Sequence, residues 1–183
     1  MIRSRSSARR EMPTKPNYYW DACIFLAWLQ DERPPRRQPG DMEGLAEIVD
    51  QIERGEARVV TSALTLTEVL NANFTEEQKG RFEGALQRPS CVVINADQRV
   101  TKLAAEIREN FRGEGRRIQT PDAIHLASAL IVAADVLHTF DDQMLVLDGR
   151  VLNATPVARV LRIRKPSGRQ TVLVARGESP NDA

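Results

Sequence analysis

The 183-residue chain is 42% hydrophobic and 28% charged, which suits one compact domain with a buried core rather than a disordered or fibrous chain. Its 26 lysines and arginines stand against 25 aspartates and glutamates, so no global charge field announces nucleic acid, and any such binding must come from a local basic patch. No apolar run approaches the ~18–20 residues of a membrane span, and the Arg-rich start lacks the apolar core of a secretory signal; with Cys23 and Cys91 reading as buried reduced thiols, a cytoplasmic location and no membrane partner are expected.

Residues 1–16, with Arg3, Arg5, Arg9 and Arg10 among serines, read as a flexible basic tail. Tyr18-Tyr19-Trp20 opens the fold as a β-favouring run that passes into a helix at Ile24, which places Asp21 at the junction, as a helix cap or a functional acid. Residues 31–41, carrying Pro34-Pro35, Arg36-Arg37 and Pro39-Gly40, are an exposed basic loop. A helix follows through Leu45, Ile48, Val49 and Ile52 and stops at Gly55, and Ala57-Arg58-Val59-Val60-Thr61 reads as a second strand. Thr65 and Glu68 then have the spacing of a capping box, which by itself would account for Glu68.

A helix from Phe74-Thr75 to Gln87 leads into a third strand, Cys91-Val92-Val93-Ile94-Asn95, and Asp97 suits the cap of the next helix, through Val100, Leu103, Ala104, Ile107 and Phe111. Gly113-Glu114-Gly115-Arg116-Arg117 is a flexible basic connection. Beyond it Thr120 suits an N-cap, Pro121 the first helical position, and Asp122 the first turn, where the helix dipole favours negative charge. The helix behind Asp122 is almost wholly apolar, so a buried helix carries its acidic tip to a surface or cleft. Val136-Leu137-His138-Thr139-Phe140 is a fourth strand with Asp141-Asp142 just past its end. Farther on, 157–163 alternates like a strand and Thr171-Val172-Leu173-Val174 suits its hairpin partner, within a C-terminal extension over 164–183.

Strands alternating with helices imply an α/β fold, a parallel sheet with helices on both faces, and ligands in such sheets bind beyond the carboxyl ends of the strands. Asp21 and Asp141 follow strand ends, and Glu68 and Asp122 are read in first helical turns, so all four are expected to face one crevice. Four carboxylates together repel unless a hard divalent cation neutralises them, and oxygen-only ligands suit Mg²⁺ or Mn²⁺. The chemistry that follows is metal-assisted phosphodiester hydrolysis.

Four pieces carry a family resemblance: Trp20-Asp21-Ala22-Cys23-Ile24-Phe25, Thr61-Ser62-Ala63-Leu64-Thr65-Leu66-Thr67-Glu68-Val69, Thr120-Pro121-Asp122-Ala123-Ile124-His125-Leu126-Ala127 and Thr139-Phe140-Asp141-Asp142-Gln143-Met144. In this order they resemble a PIN-domain ribonuclease, most of all the VapC toxins of toxin–antitoxin pairs, over about 18–160. The resemblance implies a PIN-like, Rossmann-like three-layer α/β/α domain, taken as 17–163, with an acidic pocket at the carboxyl edge. It also implies an RNA substrate, Mg²⁺ or Mn²⁺, a cognate antitoxin and a homodimer. By it Asp21, Glu68 and Asp122 match the three central acids and Asp141 the fourth, with Asp142 as the alternative. The chain departs from the family in having Cys23 where Ser or Thr is common. His125, Thr139 and the loop arginines Arg36, Arg37, Arg116 and Arg117 each have an ordinary structural explanation. Two other functions fit the same acids: a non-catalytic PIN-like module that binds RNA or protein, and a metal-dependent phosphatase or DNA nuclease.

Overall fold

The computed structural model describes residues 15–32, 35–150, 152 and 160–167. In chain order the elements are β1 (Asn17–Trp20), α1 (Ala22–Gln30), α2 (Asp41–Glu53), β2 (Arg58–Ser62), α3 (Ala63–Leu70), α4 (Glu76–Leu86), β3 (Cys91–Ile94), α5 (Gln98–Gly113), α6 (Thr120–Ile131), β4 (Val136–His138), α7 (Asp142–Leu145) and β5 (Ile163–Arg164). The strands form one sheet in the order β3-β2-β1-β4-β5, and every pairing is parallel. Tyr19 of the central β1 lies level with Val60 on one side and Leu137 on the other.

Alternation along the strands divides the core between two faces. Tyr19, Val60 and Leu137 point to the face covered by α5, α6 and α7, through Ile107, Phe111, Leu126 and Met144. Tyr18, Trp20, Val59 and Val136 point to the opposite face, covered by α1 to α4 through Ile24, Phe25, Ile48, Val69 and Phe82. The arrangement is the expected α/β/α sandwich, and Tyr18, Tyr19 and Trp20 are core residues, all at most 3% exposed.

Several local expectations are corrected. Helix α3 begins directly at the end of β2, where the Ser62 hydroxyl accepts from the Leu64 N–H at 3.2 Å. Thr65 is therefore inside the helix, its hydroxyl accepting from that of Thr61 at 2.7 Å, and Glu68 stands in the second turn with no capping role. The capping box is made elsewhere, by Thr75 and Gln78 at the start of α4. Helix α6 begins one residue early: Gln119 is its N-cap without a side-chain bond, Thr120 is the first helical residue, and Pro121 stands second. A proline there has no N–H to satisfy, so a missing cap costs little. Strand β4 ends at His138, which leaves Thr139 and Phe140 to turn toward Asp141. Of the region read as a last strand over 157–163, the described residues place Ile163–Arg164 in the sheet, parallel to β4. The basic tail over 1–14, residues 153–159 and the strand proposed at 171–174 lie outside the described residues.

Candidate active site

Each of the four acids arrives by a different route. Asp21 leaves β1 in extended conformation and caps α1, its Oδ1 accepting from the Ile24 N–H at 3.3 Å. The same oxygen lies 2.8 Å from the Cys23 thiol, which donates to it. Asp21 is 4% exposed, and burial raises its carboxyl above the ordinary value, against the lowering influence of His125, Cys23, Thr139 and the Ile24 N–H. Asp141 caps α7 in the same manner, Oδ1 accepting from the Gln143 N–H at 2.7 Å. Asp21, expected as a helix cap or a functional acid, is a cap, and Asp141 caps α7 likewise; both follow strand ends.

Cys23 and Thr139 connect these two caps. The sulfur of Cys23 accepts from the Phe140 N–H at 3.0 Å and lies 3.4 Å from Thr139 Oγ1, while that hydroxyl accepts from the Asp141 N–H at 2.9 Å. The thiol therefore fills a donor-and-acceptor position between β1 and the turn after β4. Burial and the Asp21 carboxylate push it well above the usual thiol range, which keeps it protonated and able to donate. Both cysteines are free, as expected, though each is partly rather than fully buried.

Glu68 reaches the site from α3, and its orientation is set from across the sheet edge. His125 of α6, 3% exposed, places Nε2 2.9 Å from Glu68 Oε2 and Nδ1 2.9 Å from the Tyr19 hydroxyl. With a carboxylate accepting at Nε2, that nitrogen carries a proton, and Nδ1 is placed to accept from the Tyr19 hydroxyl. Burial raises the Tyr19 phenol far above its ordinary value, so it remains a donor. Sequence reasoning left His125 as a packing or hydrogen-bonding residue; it makes both bonds, and one of them is to a candidate acid. Tyr19 reads from the sequence only as a core aromatic, and its bond to His125 is not visible there because no spacing rule links residues 19 and 125.

Asp122 differs from the other three. It stands in the first turn of α6, half-buried, and makes no hydrogen bond among the described residues. Burial raises its carboxyl first, then the charge of Asp141; His125 opposes, and Asp21 and Glu68 raise it further. One carboxylate thus feels the other three acids. Asp142 is exposed and is absent from that set, so of the pair it is Asp141 that acts on Asp122.

The acids are near enough to act on one another. Yet no group of three or more His, Cys, Asp and Glu side chains among the described residues is drawn together tightly enough to hold a metal ion as it stands. The donor set itself fits a hard divalent cation: four carboxylates, with Glu68 Oε1 and Asp141 Oδ2 uncommitted to other described residues and Asp122 wholly so.

The PIN domain model matches residues 18–149 of the chain. No curated protein matches it. Among solved structures, the chain is similar to VapBC2 from Rickettsia felis bound to a promoter DNA fragment, at 14% identity and a TM-score of 0.54, covering 70% of this chain and 90% of that one. It is similar to a toxin–antitoxin complex from Klebsiella pneumoniae at 21% identity and a TM-score of 0.51, covering 78% and 99%. It is also similar to VapC20 from Mycobacterium tuberculosis, a sarcin-ricin loop cleaving toxin, at 14% identity and a TM-score of 0.50, covering 68% and 89%. These likenesses establish the sheet order and layering; the chemistry rests on the site. No helix among the described residues is long and apolar enough to cross a membrane.

Proposed function

Since the chain belongs to the PIN-domain family, we propose that it is a Mg²⁺- or Mn²⁺-dependent endoribonuclease, with Asp21, Glu68, Asp122 and Asp141 as its working acids. The observation that carries this reading is Asp122, a half-buried carboxylate that has no hydrogen bond among the described residues and is raised by burial and by all three other acids. A carboxylate held so against its own preference is the mark of a functional group. Asp21 and Asp141 have structural duties as caps, whereas Asp122 has none, and a module that merely binds RNA or protein leaves it unexplained.

A divalent ion held by these acids would neutralise their mutual repulsion and stabilise charge on the phosphate as the ester bond breaks. The chain's own part is to hold the acids still. Asp21 and Asp141 are fixed by their cap bonds and joined through Cys23 and Thr139, and Glu68 is fixed by His125. Asp122 is left to orient the attacking water and accept its proton. The water oxygen adds to phosphorus while the bond to the leaving ribose oxygen breaks and that oxygen takes up a proton from solvent, so that one strand becomes two, one ending in a phosphate and the other in a hydroxyl. A toxin role with a cognate antitoxin is supported by the toxin–antitoxin complexes among the solved neighbours; that the antitoxin inserts a basic side chain among the acids, and that the chain forms a homodimer through helices, belong to the same proposal.

The test is cleavage of a mixed-sequence single-stranded RNA by purified protein with Mg²⁺, with Mn²⁺ and with chelator, beside Asp122→Asn. Metal-dependent cutting that the variant loses while keeping its fold is the expected result. Cutting retained by Asp122→Asn refutes the assignment. Preferential hydrolysis of DNA or of a small phosphomonoester assigns the site to another phosphoesterase class.

A further inference from the structure

Away from the acids, four arginines surround one hollow. Arg108 and Arg112, one turn apart on α5, and Arg116 and Arg117, in the connection to α6, line a concavity of about 420 Å³ with Gly115 and Ile118. The wall is built rather than accidental. Gly115 takes φ +74°, which a side chain would resist, and Arg108 Nε donates to the Ile118 carbonyl at 3.2 Å, tying the connection back to the helix. Of the two acids in this stretch, Glu109 pairs with Arg112 of the hollow itself, and Glu114 pairs away from it with Arg150. Among the described residues Arg116 and Arg117 have no acidic partner.

A chain of formal charge +1 can still carry a local basic patch, and with Arg108, Arg116 and Arg117 in no ion pair among the described residues this hollow is one. Guanidinium groups suit phosphate because their paired N–H donors match two of its oxygens. The hollow also lies close to the acids along the chain. Ile118 and Asp122 are four residues apart, so even a fully extended segment would separate them by at most about 14 Å. An acidic pocket by itself repels a nucleic-acid strand, and a basic hollow at that distance holds the strand within reach of it.

We propose that this hollow is a binding subsite for the phosphate backbone of single-stranded RNA, a few nucleotides from the bond presented to the acids. It rests on the ribonuclease reading for the choice of ligand, and extends it by assigning Arg116 and Arg117 to substrate binding. Both are exposed, so their replacement tests contact without disturbing the core.

The experiment measures binding of a labelled single-stranded RNA to full-length Asp122→Asn protein across a salt series, so that uncut RNA is read directly. R116Q/R117Q in the same background should weaken binding at least about tenfold. It should also flatten the dependence of log K on log salt by about 1.4, two phosphate contacts at about 0.7 each. The comparison is R54Q/R58Q, which removes the same charge at the end of α2 and the start of β2, outside the hollow's lining, and should change neither quantity. Unchanged binding in R116Q/R117Q, an equal loss in R54Q/R58Q, or no RNA binding by the parent overturns the subsite. The two readings fail separately. Arginine-dependent binding by a protein that cuts no RNA keeps the subsite and removes the ribonuclease, whereas Asp122-dependent cutting indifferent to Arg116 and Arg117 does the reverse.

Discussion

Tyr19→Phe deletes one oxygen from the molecule and tests whether Glu68 is held from behind. Tyr19 is fully buried on the central strand, and its hydroxyl donates to His125 Nδ1 at 2.9 Å, whose other nitrogen meets Glu68 at 2.9 Å. Phenylalanine keeps the ring and its packing but leaves Nδ1 a buried acceptor without a donor, a loss of about 1–3 kcal/mol. For a chain of this size that is a fall of roughly 2–10 °C in Tm. With its proton no longer directed to Nε2, the imidazole holds Glu68 less firmly, and a partner behind a metal-binding carboxylate is typically worth roughly 10–100-fold in metal affinity or activity. Thermal melts with and without Mn²⁺ would show both effects, the lower Tm and a smaller rise on adding metal. Tyr18→Phe is the internal control, because the adjacent hydroxyl meets Gln51 only at 3.5 Å and faces away from the acids. Equal effects at the two tyrosines, or a metal-induced rise in Tm that Tyr19→Phe leaves intact, would refute the reasoning.

Two further outcomes test other parts of the structure. A Cβ at Gly44 of α2 would stand 2.4 Å from the Pro166 carbonyl oxygen, so Gly44→Ala should destabilise by about 1–3 kcal/mol in urea unfolding. Gly80→Ala, with open space around it on α4, should instead stabilise by up to about 1 kcal/mol; equal effects would mean that 163–167 does not pack on α2. Burial, followed by the charge of Asp141, holds the Asp122 carboxyl above its ordinary 3.8, so the folded state binds this proton more tightly than the unfolded chain. The stability of the metal-free protein should therefore decline as pH rises from about 3.8 through the folded value. Asp122→Asn should flatten that decline and be the more stable protein at pH 7 in chelator, by up to about 1 kcal/mol given its half-exposed position. A less stable variant at pH 7 would refute the repulsion.

The architecture was legible because it is periodic. Alternation in β1, the apolar stripe of α5 and the strand-then-acid pattern at Asp21 and Asp141 are local signals, and local signals survive in a single sequence. The reading of Glu68 failed for the opposite reason. Thr65 and Glu68 have the spacing of a capping box, but Ser62 already caps that helix because β2 runs into α3 without a loop. A spacing rule cannot see that the helix has begun three residues earlier. The Tyr19–His125–Glu68 chain is beyond pattern altogether, since its members lie on β1, α6 and α3 and meet only after the sheet is assembled. The arginine hollow is intermediate. Arg116 and Arg117 are visibly basic in sequence, but Arg108 and Arg112 join them only because the connection folds back on α5.

Reading an acid as either a cap or a ligand misstates the chemistry of a carboxylate, which has two oxygens. Asp141 gives Oδ1 to its helix and keeps Oδ2, and Glu68 gives Oε2 to His125 and keeps Oε1. Capping is then what makes these groups usable, because a side chain fixed by one oxygen presents the other in a defined direction at little entropic cost. Asp21 takes this furthest, with the Ile24 N–H and the Cys23 thiol both on Oδ1. Cys23 can stand where a hydroxyl is common because the position asks for one donor to Asp21 and one acceptor for the Phe140 N–H, and a thiol held protonated meets both demands. Asp122 is the necessary exception. Among the described residues its carboxylate has no hydrogen bond, so under the proposed function both its oxygens stay available to orient a water and take its proton.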